Sequence, residues 1–202
     1  MLTILRKEST RFREDQLVDH DLVGQWESLT NKPKVIVFDL DHTLWPYDVD
    51  DNVKPPIEKR VNSLGLYDIY DNSGKKFSSY EHVTRILHTL KNHCLNSNGG
   101  HLAIASRSTT PDLAMQSIEA YGWKSYLSSF QIYNTNKVKH MRAIKEELGA
   151  FEFNVFLFFD DVLDNIASTS RLGLQAFLVS RQDGLDKSAL LKGLKLFDKM
   201  HS

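Results

Sequence analysis

The run Val35-Ile36-Val37-Phe38-Asp39-Leu40-Asp41-His42-Thr43-Leu44 drives four apolar residues straight into two carboxylates. Core packing alone does not ask for that placement. Three later segments repeat it: His101–Ala105 runs into Ser106 and Arg107, Phe130–Tyr133 is followed by Lys137, and Val155–Phe159 ends in Asp160 and Asp161. Brought together, these ends would offer three or four carboxylates, a hydroxyl and one or two cations. Crowded carboxylates repel and are forced to protonate unless a cation sits among them. Oxygen ligands with no His or Cys cluster select a hard ion, and a few carboxylates with water and a phosphate suit Mg²⁺. A carboxylate held there can attack phosphorus itself, splitting one hard displacement into two easier ones.

Each residue then has a role. Asp39, nearest its strand, is the candidate nucleophile, and Asp41 is spaced to protonate the leaving oxygen and later take a proton from water. Ser106 offers a hydroxyl and nearby backbone N–H groups as a phosphate cradle. Lys137 would neutralise both the nucleophile and the transferring phosphoryl oxygens. Arg107 either clamps substrate or pairs with an acid. Thr43 either orients the loop by a hydrogen bond to a neighbour or caps a helix, and Asn165 is either a plain helix residue or a support behind the metal ligands. Taken singly, each reads as a cap, a loop acid or a surface lysine. Their shared position at strand ends argues for a site.

The elements that must carry them alternate. The apolar run after Pro33 is short and β-branched, as in a strand covered on both faces. Trp45 to Ser79 is a polar excursion with the turn Asp71-Asn72-Ser73-Gly74, predicting a hairpin flap over the crevice. A helix capped by Ser79 follows, with the stripe Val83, Ile86, Leu87, Leu90 and a stop at Asn98-Gly99-Gly100. Strand His101–Ala105 leads to a helix with Thr110 as N-cap and Pro111 at its first position, ended by Gly122. Strand Phe130–Tyr133, a helix closed by Gly149, strand Val155–Phe159, helix 164–172, strand Leu174–Val179 and a helix from about Leu185 complete the chain. Five strands separated by helices predict a doubly wound parallel sheet in three layers, Rossmann-like, with right-handed crossovers. In such sheets the ligand crevice lies outside the carboxyl ends of the strands. Asp39 stands there.

Composition narrows the rest. In 202 residues, 25 basic side chains nearly balance 26 acidic ones, so no global field recommends nucleic acid or an anionic membrane as partner. No apolar stretch approaches a membrane span, and the start Met1–Lys7 lacks the features of a secretory signal. A single cysteine, Cys94, permits no internal disulfide and fits a reducing cytosolic or nuclear compartment. Residues 1–33 read as a weakly helical extension and 34–202 as one domain.

The run Asp39-Leu40-Asp41-His42-Thr43-Leu44 resembles the D-x-D-x-T-L signature of the haloacid-dehalogenase-like (HAD) phosphohydrolases, and Ser106, Lys137 and Asp160-Asp161 match that superfamily's later motifs in order. Phe38 to Pro46, Val53-Lys54-Pro55-Pro56, Ala105-Ser106-Arg107-Ser108, Ile132-Tyr133 and Phe158–Asp161 with Asn165-Ile166 resemble, more closely, the eukaryotic magnesium-dependent phosphatase subgroup. The resemblance implies Mg²⁺ held by Asp39, the Asp41 carbonyl and Asp161, with Asp160 close behind. It implies phosphate bound by the Leu40 backbone, Ser106, Arg107 and Lys137, and a small flap at 45–79 in place of a cap domain. It also implies phosphotyrosine-type proteins or small sugar phosphates as substrates. His42 departs from the Tyr usual there. The non-enzyme rival is a phosphoaspartate receiver or an idle scaffold on the same fold, neither of which has use for an acid/base at Asp41. A glycosidase pair leaves Lys137 unexplained, and Cys94 lacks the glycine-rich loop of a cysteine phosphatase.

Overall fold

Strand β1 (Val35–Phe38) is the middle of a parallel sheet and is buried along its whole length. The structure is a computed structural model and describes residues 16–96, 99–149 and 152–202. Around β1 the sheet is completed by β5 (His101–Ser106), β6 (Ser129–Ile132), β7 (Phe156–Asp160) and β8 (Gln175–Leu178) in the order β6-β5-β1-β7-β8. Every pairing is parallel, with Phe38 level with Ile104 and Phe159, so the ends of β5, β1 and β7 fall on one edge.

Side chains alternate across a strand, and each face of this one collects its own core. Ile36 and Phe38 pack with Leu22, Trp26, Leu87, Ile118, Leu190 and Phe197. Those residues lie on α1 (His20–Glu27), α3 (Val83–Thr89), α4 (Pro111–Ala120) and α7 (Lys187–Met200). Val35 and Val37 pack with Met141, Ile144 and, more peripherally, Ile166, from α5 (Lys137–Leu148) and α6 (Leu163–Ser170). This is the three-layer arrangement expected of βαβ units.

Local chemistry departs from the sequence reading in four places. Ser79 does not cap α3: the helix starts at Val83 and the Ser79 hydroxyl donates to the Tyr80 carbonyl. Thr110 holds the cap position of α4, but its hydroxyl donates 2.6 Å to Asp50 instead of accepting from the helix. The third strand begins one residue earlier than its apolar run, at Ser129 level with Ala103. After α3 the chain continues as a π-type turn, Leu90–Leu95, which buries Cys94; Asn98 of the predicted stop lies outside the described residues.

The excursion after β1 holds a short helix, α2 (Val49–Asn52), and three antiparallel strands, β2 (Glu58–Val61), β3 (Tyr67–Tyr70) and β4 (Lys76–Phe77), ordered β2-β3-β4. Its turn is held as expected: Asp71 Oδ1 accepts from Ser73 N at 2.8 Å and Lys75 N at 3.0 Å, and Gly74 takes φ +79°. Ile69 and Phe77 are buried in the main core, so this small sheet is anchored rather than hung over the sheet edge. Of residues 1–33, the first fifteen lie outside the described residues. Beyond them, Asp19 caps α1, accepts Lys187 at 2.9 Å, and donates its backbone N–H to the Thr89 hydroxyl oxygen at 3.0 Å.

Candidate active site

The chain turns sharply as it leaves β1. The Leu40 carbonyl accepts from Thr43 N at 3.1 Å and Leu44 N at 2.8 Å, and His42 enters the left-handed region at φ +54°, a conformation that His tolerates better than most residues. Leu40, Leu44 and Trp45 are fully buried and fasten the turn. Asp39 is set by the sheet itself, its N–H donating to Phe159 O at 3.0 Å. Thr43 is buried, and its hydroxyl has no partner among the described residues; the hydrogen bond expected of it is absent, and only its backbone shapes the loop.

Lys137 is the first residue of α5, whose N-cap Asn136 accepts from Lys139 N at 3.0 Å. Its side chain is buried, donates to Asp39 Oδ1 and the Ala105 carbonyl, and stands 3.2 Å from Asp160 Oδ2. Asp160 also accepts Val162 N at 2.8 Å and Asn165 Nδ2 at 3.0 Å on both oxygens. Asn165 therefore braces a site carboxylate, one of the two roles open to it from sequence. Asp161 meets Arg181 Nε at 2.6 Å. Oxygens of Asp39, Asp160 and Asp161 lie within 4.8 Å of one another. Asp41 stands apart from that trio, accepting on Oδ1 from Trp45 Nε1 at 2.6 Å and Val49 N at 3.1 Å.

Burial governs the protonation of these acids. It drives Asp39 up to about 7, against the pull of the Lys137 charge and with help from Asp160. It lifts Asp41 to about 6, more than the Trp45 and Val49 hydrogen bonds can offset. Asp161 is raised by burial and by Asp160, with Arg181 opposing. Asp50 goes the other way: burial would raise it, but donors from Ser108, Thr109 and Thr110 hold it at about 2. Behind Lys137, burial and the Lys137 charge depress His140 to about 4, and its Nε2 sits 3.0 Å from the Tyr133 carbonyl.

Asp39, Asp41, Ser106, Arg107, Lys137, Asp161 and Asn165 all border one cavity of about 410 Å³. Leu40, Thr43 and Asp160 are fully buried and do not line it. No residue of 58–79 lines it, contrary to the covering flap expected from sequence; the excursion contributes Asp48, Asp50 and Asp51 from the α2 region instead. Ile69 and Phe77 explain this, because burying them turns the small sheet toward the core. Arg107 is exposed at the mouth and forms no ion pair among the described residues. Sequence reasoning missed Arg181, Asn134 and Asp50. Arg181 was within reach, since Val179-Ser180-Arg181 repeats the pattern of a strand followed by a polar end. Asp50 carries no local signal in the polar excursion, and only folding brings it to Ser108–Thr110, sixty residues on.

A parallel sheet whose central strand ends in a buried Asp, with a Lys and an Asp pair at neighbouring ends, is the architecture of the HAD-type phosphohydrolases. Residues 31–200 match the family described as Acid Phosphatase, and the chain belongs to it. Magnesium-dependent phosphatase 1 of Homo sapiens is 33% identical over 167 residues, covering 83% of this chain and 88% of that protein. A HAD-like hydrolase superfamily protein of Schizosaccharomyces pombe is 29% identical, covering 79% and 93%. Among solved structures, the N-terminal part of a Bacteroides fragilis protein containing a phosphatase domain, complexed with Mg, aligns with a TM-score of 0.57 at 19% identity. That alignment covers 83% of this chain and 41% of the other. A HAD-superfamily hydrolase from Ehrlichia chaffeensis aligns at 0.56 with 14% identity, over 86% of this chain and all of its own. These two likenesses concern the fold.

Proposed function

We propose that this chain is a Mg²⁺-dependent phosphomonoester hydrolase that works through an aspartyl-phosphate on Asp39. The observation that carries the reading is Lys137, buried between Asp39 and Asp160 beside Asp161 at the floor of an open cavity. The donor set of the trio is oxygen alone, which fits a hard divalent cation. Asp39 and Asp161, with the Asp41 carbonyl, would hold Mg²⁺, with Asp160 behind them; when bound it supplies charge to steady the phosphoryl oxygens.

The chain's own groups account for the remaining steps. Ser106 and Arg107 border the space where a phosphate would sit, and Lys137 opposes the charge that builds on it. Asp39 attacks phosphorus as the bond to the leaving oxygen breaks. Asp41 gives that oxygen its proton, then takes one from the water that releases phosphate. A carboxyl pushed to about 6 is suited to trade a proton in both directions near neutral pH. The cavity is open, and the exposed Arg107, Asp51 and Arg181 stand on its wall. That opening supports phosphotyrosine-type proteins and small sugar phosphates alike as substrates.

The test is phosphate release from an aryl phosphate in Mg²⁺, with labelled phosphate trapped on the protein by acid quench. Chelator and Asp39→Asn should each abolish turnover, and the variant should also lose the label. Full turnover by Asp39→Asn refutes the mechanism, and label without turnover in the wild type would favour a receiver-like role.

A further inference from the structure

We infer that Trp45, together with the backbone N–H of Val49, is the positioning device for the proton donor Asp41. The inference rests on the acid/base reading of Asp41 and goes beyond it by saying which oxygen carries the proton and what holds it. Both donors converge on one oxygen: Trp45 Nε1 at 2.6 Å and Val49 N at 3.1 Å are both on Oδ1. Among the described residues no donor is given to Oδ2. An indole N–H and a backbone N–H can only donate, so neither tolerates a proton on Oδ1. When Asp41 is neutral its proton therefore belongs on Oδ2. One oxygen is an anchor and the other is the working end.

The anchor is rigid. Trp45 is fully buried, stacked on Tyr47 with ring centroids 5.5 Å apart and planes 5° apart, and on Trp123 at 6.0 Å and 16°. Tyr47 and Tyr121 hydroxyls meet at 2.8 Å, and Tyr121 donates to the Phe77 carbonyl of β4 at 3.2 Å. The indole has no room to turn away from Asp41. Val49 is the first residue of α2, where an N–H has no helical partner of its own. In the reaction, the bond from phosphorus to the leaving oxygen breaks as the Asp39 oxygen bonds to phosphorus. The leaving oxygen collects the proton from Asp41 Oδ2, and the vacated carboxylate keeps its two N–H donors on Oδ1.

A buried indole finding any acceptor would give the same picture, so the test must separate packing from positioning. Alkyl phosphates need a proton on the leaving oxygen, and p-nitrophenyl phosphate does not. The readout is the ratio of kcat/KM for glycerol 2-phosphate to that for p-nitrophenyl phosphate, which reports the steps through phosphoryl transfer. Trp45→Phe keeps the stack and removes the donor; Val49→Pro removes the other donor at a helix position that accepts proline, after an extended Asp48 at ψ 116°. Each should lower the ratio about tenfold, a part of the roughly hundred- to ten-thousand-fold that general acid catalysis contributes. Neither should lower it further in an Asp41→Asn background. If Asp41→Asn leaves the ratio unchanged, the acid/base reading itself fails. If Asp41→Asn lowers it and the two donor variants do not, the positioning inference is overturned; should Trp45→Phe not fold, Val49→Pro alone decides.

Discussion

Replacing Lys137 with Met keeps the length of the side chain and removes its charge from between two buried carboxylates. Truncating one partner of a buried ion pair costs roughly 3–5 kcal/mol, because the charge left behind has lost its water and gained nothing. For a chain of this size ~1 kcal/mol is about 2–4 °C in Tm, which puts the expected drop at roughly 6–20 °C near pH 8. The loss should depend on pH. Burial already raises Asp39 to about 7 from 3.8, so folding takes up a proton between those values and stability falls as pH climbs through them. Without Lys137, Asp39 is raised further and the penalty extends to higher pH. The deficit relative to wild type should therefore be smallest near pH 5 and grow to pH 8, and millimolar Mg²⁺ at pH 8 should narrow it by supplying a replacement cation. Thermal unfolding at both pH values, in chelator and in Mg²⁺, measures this. A deficit equal at pH 5 and pH 8, or none at pH 8, would refute the argument that Lys137 is what permits Asp39 to be charged.

Arg181 meets Asp161 through a largely exposed side chain, so Arg181→Gln should tighten Mg²⁺ binding about two- to fivefold, as a weak exposed pair allows; calorimetric titration reporting equal or weaker binding would count against that role. Asp50→Ala strips the acceptor from Ser108, Thr109 and Thr110 at the start of α4 and should cost about 1–2 kcal/mol in urea unfolding. In the wild type that contribution is present above pH 3.8 and fades as pH falls toward 2. His140, depressed to about 4, is neutral in the fold and binds its proton more readily once unfolded. Its own contribution should therefore grow between pH 4 and 6.5, opposing the fall that the raised Asp39 and Asp41 impose over the same range, and His140→Gln should steepen that fall; an unaltered slope would count against His140.

The strand-and-helix order and the candidate residues at strand ends were legible because both follow from local pattern. Apolar runs of four to five residues, β-branched or aromatic and too short for a buried helix, read as buried strands, and parallel pairing carries their ends to one edge. The errors were of another kind. Ser79 and Thr110 have the right chemistry for capping, yet the Thr110 hydroxyl is turned to donate to Asp50, and nothing near Thr110 in sequence announces that partner. The excursion was correctly read as a hairpin, but its side was not, because that depends on Ile69 and Phe77 finding the core.

A parallel sheet, its central strand, and an acid-and-lysine set at one edge are written in local pattern, since periodicity and composition act over a few residues at a time. Which groups touch comes from packing: Lys137 with Asp39 across 98 positions, Arg181 with Asp161, Trp45 on a single oxygen of Asp41. Those pairings turn on the direction each side chain takes from its backbone and on which neighbours are desolvated beside it. Both exist only once distant segments have packed.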